Sequence, residues 1–292
     1  MNNQSIATVK KHSRIIAMTV GFVSTLTMAT AATAANLKVT VENLAPANGL
    51  VVTPLWVGFH DGSFNIFNLD EPASISLERL AEDGTTAPIA NTFLSSGSGL
   101  VEGTILGPGI SPNSPPVIPP GTTTTRTFKV DGSLATSRYF SYATMIVPSN
   151  DAFIANENPL AFQIFDNLGK FIGADFIVSG NRIWDAGTEV NDEIPINTAL
   201  LGQTQPNTGV TENGVVRQHP GFIPGGNILT AFPNADFTTP DYQVVRIRVE
   251  KVPEPASTIG LLLVGSLLWV GQSFTKQSML GNKQARSGNT GS

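Results

Sequence analysis

At 292 residues, with 41% apolar side chains and only 13% charged ones, the chain can bury the core of one large domain. Its net charge of −5 and isoelectric point near 5.2 argue against a nucleic-acid partner, which needs a basic face. It has no cysteine, which excludes disulfides, zinc–thiolate sites and a thiol nucleophile, and its 28 Gly and 20 Pro predict short strands joined by many turns.

Residues 1–34 read as a secretory signal. Lys10, Lys11 and Arg14 precede an uncharged apolar run from Ile15 to Met28, and Ala32-Thr33-Ala34 supplies a small-x-small cleavage site. Leu37, Val39 and Val41 alternate with polar residues, the period of a half-buried strand. Residues 54–67 are aromatic-rich and are broken by a turn at His60-Asp61-Gly62. One short helix is predicted to follow Glu71-Pro72-Ala73, with Leu77, Leu80 and Ala81 at helical spacing and Gly84 closing it. Residues 92–121, rich in Gly, Ser and Pro, predict a long surface loop.

Strands are predicted over 122–130 and 139–147, the second stopping at the turn residues Pro148-Ser149-Asn150-Asp151. Two more are expected over 160–165 and 176–184, the latter delivering Asp185. After a loop-rich stretch from 191 to 240, residues 242–252 alternate Val245, Ile247 and Val249 with Arg246, Arg248 and Glu250. The expected fold class is all-β, an antiparallel β-sandwich over 35–252 with one short helix and no second domain.

In so weakly charged a chain, four carboxylates within nine positions stand out: Asp185, Glu189, Asp192 and Glu193. Gly187 can take positive φ and curl the backbone between the first two. Converging carboxylates repel unless a cation lies between them, and hard oxygen ligands on an irregular loop suit calcium. The alternative is a solvated acidic loop.

Beyond the domain, Pro253-Glu254-Pro255 leads into an apolar run from Ile259 to Phe274 and then Lys276, Lys283 and Arg286. This predicts a C-terminal transmembrane helix with its basic end in the cytoplasm. Residues 253–292 resemble the PEP-CTERM sorting signal of bacterial exported proteins. The resemblance implies an exosortase-type processing enzyme at Pro253-Glu254-Pro255. It also implies a passage through the inner membrane to the envelope surface or extracellular matrix. The body resembles a spondin N-terminal domain in three stretches: residues 37–43 (Leu-Lys-Val-Thr-Val-Glu-Asn), 140–153 (Phe-Ser-Tyr-Ala-Thr-Met-Ile-Val-Pro-Ser-Asn-Asp-Ala-Phe) and 184–189 (Trp-Asp-Ala-Gly-Thr-Glu). It departs from the animal members in lacking their cysteines. That resemblance implies a C2-like sandwich with a calcium ion held at one end by Asp151, Asp185 and Glu189, and Asp192 in reserve. Animal members often carry Asp where Glu189 stands, one methylene shorter.

The implied role is non-enzymatic: a secreted calcium-binding protein for cell adhesion or matrix interaction, its partner a polysaccharide or protein. No Gly-x-Ser-x-Gly elbow, His-Glu-x-x-His helix or phosphate loop occurs. His60-Asp61, alone or with His219, could form a base or metal pair, though such residues more often satisfy turns. The alternative function is a carbohydrate-active hydrolase using Asp185 and Glu189, which needs a sugar cleft between them.

Overall fold

The computed structural model describes residues 34–253. The predicted secretory signal, save Ala34, and the sorting tail beyond Pro253 lie outside the described residues. Among the described residues, no helix is long and apolar enough to cross a membrane.

Two antiparallel sheets form the body. The first has four strands: β1 (Ala35–Asn43) lies between β5 (Thr123–Val130) and β11 (Gln243–Lys251), and β8 (Ala174–Ser179) forms the far edge beside β11. The second runs in the order β10 (Arg217–Gln218), β9 (Trp184–Asp185), β7 (Ala152–Ala155), β6 (Tyr139–Val147), β3 (Leu55–His60) and β4 (Gly99–Ile105), with β2 (Val51–Val52) also on β6. The alternation predicted for β1 and β11 produces the register: Val39 lies opposite Val249 and Val41 opposite Ile247. These side chains are buried and meet Val57, Phe59, Phe140, Ile146 and Ile154 of the second sheet in one core. The architecture is β-sandwich-like, as expected.

The second sheet is covered on its other face as well. Trp56, Ala143, Phe153 and Trp184 pack beneath α1 (Ile75–Asp83) and α2 (Ala87–Ser96). The predicted helix is α1, with Ser74 as its N-cap accepting from Leu77 N and Gly84 closing it at φ 65°. Ser74→Ala should therefore cost about 1 kcal/mol of stability, read as a lower urea midpoint with unchanged slope.

Three expectations need correction. The chain holds more than one helix: α2 and the five-residue α3 (Asn227–Ala231) join α1, and α2 and β4 occupy much of the stretch predicted as loop. In α2, Pro88 sits in the first turn, Ile89 and Phe93 face the aromatic core, and Gly97 ends the helix at φ 73°. The strand predicted over 160–165 is reduced to isolated bridges, Tyr139 with Gln163 and Phe165 with Phe171. Its start is captured by Asn158, whose side chain accepts from Leu160 N and whose carbonyl accepts from Ala161 N. The strand predicted over 176–184 is two strands in different sheets, β8 and β9, separated by a short 3₁₀ turn at Gly180–Arg182.

Candidate metal site

The crossing from β8 to β9 brings two of the predicted ligands together. In the antiparallel β7–β9 pair Ala152 lies opposite Asp185, so Asp151, immediately before β7, falls beside the end of β9. Asp151 and Asp185 are both 0% exposed and Glu189 is 3% exposed. Gly187 takes φ 67°, as predicted, and Val215 N would lie 2.6 Å from any Cβ there. That curl turns the following amides back onto Asp151. Its Oδ2 accepts from Thr188 N at 2.8 Å, Glu189 N at 3.1 Å and the Thr188 hydroxyl at 3.2 Å.

Asp185 is differently placed. Its Oδ1 accepts from Gly187 N at 2.8 Å, and its Oδ2 from Asn191 Nδ2 at 3.1 Å and Arg217 Nε at 3.2 Å. Arg217 lies opposite Asp185 in the β9–β10 pair and also binds Glu212. Spacing gave no sign of this guanidinium, which is 32 residues away and meets Asp185 only through sheet pairing.

Glu189 joins the pole through its backbone, and its carboxylate lies against Gly209. A Cβ on Gly209 would sit 1.1 Å from Glu189 Oε1, so the side chain occupies the space that glycine leaves free. The other two carboxylates of the stretch are committed to structure. Asp192 accepts from Asn150 Nδ2, Ile194 N and Asn197 Nδ2. Glu193 accepts from Ile223 N and Ile228 N, fixing the start of α3. Among the described residues, no three His, Cys, Asp or Glu side chains close around a single point. The predicted ligands share one end of the sandwich without forming one tight cluster.

The oxygens left over decide what this end can hold. Asn150 Oδ1, Asp151 Oδ1 and both Glu189 carboxylate oxygens are buried without a hydrogen-bond partner. A carboxylate has only acceptors, so such oxygens need a proton, a donor or a cation. Burial, then the neighbouring Asp185, pushes the Asp151 carboxyl up from its usual range. Burial, followed by the charges of Glu82, Asp151, Asp192 and Asp83, pushes Glu189 up to about 8. All four are oxygens, the donor type that calcium takes, and no three carboxylate side chains among the described residues gather around one point.

The two described histidines are tied to other partners. His60 Nε2 pairs with Ser141 Oγ at 2.8 Å and its Nδ1 accepts from Gly62 N; His219 Nδ1 accepts from Gly221 N. Burial lowers both imidazoles to about 4, the neutral form. Comparison with family models and with curated proteins finds no match for the chain.

Proposed function

We propose that this chain is an exported calcium-binding protein of the spondin N-terminal type, with a C2-like sandwich and a non-enzymatic role in adhesion at the cell surface or matrix. The observation that carries the reading is the set of buried, unpartnered oxygens on Asn150, Asp151 and Glu189. In this reading Asp151 and Glu189 hold the ion directly. Asp185, already tied to Arg217, contributes its charge and orders the loop. Calcium would supply positive charge that screens the clustered carboxylates and ties the β6–β7 turn to the loop after β9. The PEP-CTERM resemblance of the tail supports an exosortase-processed route through the inner membrane to the envelope.

Against the hydrolase alternative stand the burial of Asp185 and Glu189 and the hold of Arg217 on Asp185. Equilibrium dialysis of the full chain against calcium tests the proposal. Wild-type protein should retain about one ion per chain, and Asp151→Asn should retain none at the same free concentration. Retention by neither, or equally by both, would sink the metal reading. Calcium-dependent capture of envelope polysaccharide or protein by the wild type alone would then identify the adhesive partner.

A further inference from the structure

Where β8 ends, three segments leave a cavity of about 550 Å³ between them: residues 179–181, 218–220 and 237–242. That volume lies within the roughly 300–1,000 Å³ of small-molecule sites. His219, Phe237 and Tyr242 border the cavity and are buried, whereas Asn181, Gln218 and Asp241 border it and are exposed. The wall is therefore aromatic where it is buried and polar where it meets solvent. None of Asn150, Asp151, Asp185 or Glu189 takes part in it.

His219 carries a donor with nothing to receive it. Burial keeps the ring neutral, and Nδ1 accepts from Gly221 N at 3.1 Å, so the ring proton sits on Nε2. That Nε2 is buried without a hydrogen-bond partner, which is costly for a donor. Phe222 and Phe237 stand edge-on to the imidazole, and neither side chain has an acceptor atom. At the rim, the Ser179 hydroxyl and Gln218 Nε2 are both spent on Asn181, at Oδ1 and at its carbonyl. Among the described residues this leaves Asn181 Nδ2 as a donor and Gln218 Oε1 as an acceptor. Asp241, held at φ 61°, adds a carboxylate.

These groups select among ligands by charge and polarity. No Lys or Arg borders the cavity, so an anion would meet Asp241 without a counter-charge. An apolar ligand would cover the amides and replace none of their hydrogen bonds with water. A ligand with several hydroxyls, each both donor and acceptor, answers every one of these groups.

We propose that this cavity binds a neutral sugar residue, with Asn181, Gln218 and Asp241 on its hydroxyls and His219 supplying a buried donor. The proposal rests on the adhesive role given above and specifies its partner as a neutral polysaccharide of the envelope or matrix. It uses none of the calcium ligands.

The test is saturation-transfer NMR of the full chain with glucose, galactose, mannose and N-acetylglucosamine, and with glucuronate as the anionic control. At least one neutral sugar should bind the wild type saturably. Gln218→Ala and Asp241→Asn should each weaken that sugar roughly tenfold or more, the scale of one lost hydrogen bond. Both positions are exposed, and Asn tolerates the positive φ of residue 241, so both variants should keep the wild-type fold. His219→Phe keeps an aromatic ring without the donor and should weaken binding similarly; if it does not fold, the two rim variants decide. No saturable binding of any neutral sugar, unchanged binding in both rim variants, or tighter binding of glucuronate than of glucose would each overturn the sugar site. Calcium retention by the same wild type keeps the two readings apart. Calcium bound without sugar refutes this site alone, and sugar bound without calcium refutes the metal reading alone.

Discussion

With calcium removed by chelator, the protein should lose stability as pH rises from about 4 to about 8, and calcium should abolish that loss. The reason is the proton balance of Asp151 and Glu189. Their carboxyls are raised in the folded state by burial and by neighbouring charge, Glu189 to about 8 from an ordinary 4.5. Between those values the native state holds protons that the unfolded chain has released, so stability falls as pH climbs through the window. Below about 4 both states are protonated and the term vanishes. A bound cation replaces the protons, so calcium affinity should rise with pH over the same range. At pH 8, calcium at a hundredfold excess over Kd should add about 2.7 kcal/mol, or ~5–11 °C in Tm at roughly 2–4 °C per kcal/mol. Asp151→Asn gives a diagnostic reversal. Its amide oxygen can keep the three donors from Thr188 and Glu189. One buried charge is gone, so the chelated variant should melt above the chelated wild type at pH 8 and ignore calcium. A wild type whose melting is flat across this pH range, with and without calcium, would remove the physical basis of the site.

The parts of this arrangement that were legible in sequence share one property: a local pattern that a single strand or turn can satisfy. Leu37, Val39 and Val41 announced β1, and Val245, Ile247 and Val249 announced β11, because one buried face imposes period two. Gly187 announced its own positive φ. The meeting of Asp151 and Asp185 was implied by the spondin resemblance, with both residues at the ends of predicted strands. What stayed hidden was set by pairing across the sheet or by competing signals. Arg217 reaches Asp185 only because β10 pairs with β9. Helix α2 carried its markers in Pro88, Ile89, Phe93 and Gly97, but the Ser- and Gly-rich residues that follow blurred them.

The break between β8 and β9 matters most for function, because without it Asp185 would not reach Asp151. Strand β8 ends at Ser179, paired with Gln243 in the four-stranded sheet; Asp185, six residues later, pairs with Ala152 in the other. Gly180 makes the crossing possible. Its N–H donates to Tyr242 O at 2.8 Å and its carbonyl accepts from Ile183 N at 3.1 Å, closing the turn. The backbone of Phe237 presses so close that a Cβ on Gly180 would lie 2.1 Å from the Phe237 carbonyl oxygen. Phe237 is itself buried, edge-on to His219 and Phe222, so relief must come from backbone movement on one side or the other. Gly180→Ala should therefore cost about 1–3 kcal/mol, the range for forcing extra volume into a packed interior. That corresponds to a Tm lower by roughly 2–12 °C for a domain of this size. Movement of residues 180–182 also shifts the two-residue strand that follows, so calcium affinity should fall together with stability. A variant that melts within about 1 °C of wild type would show that the crossing has room to spare. Lowered Tm with unchanged calcium affinity would show that sheet pairing alone, through Ala152 and Arg217, holds Asp185 in place.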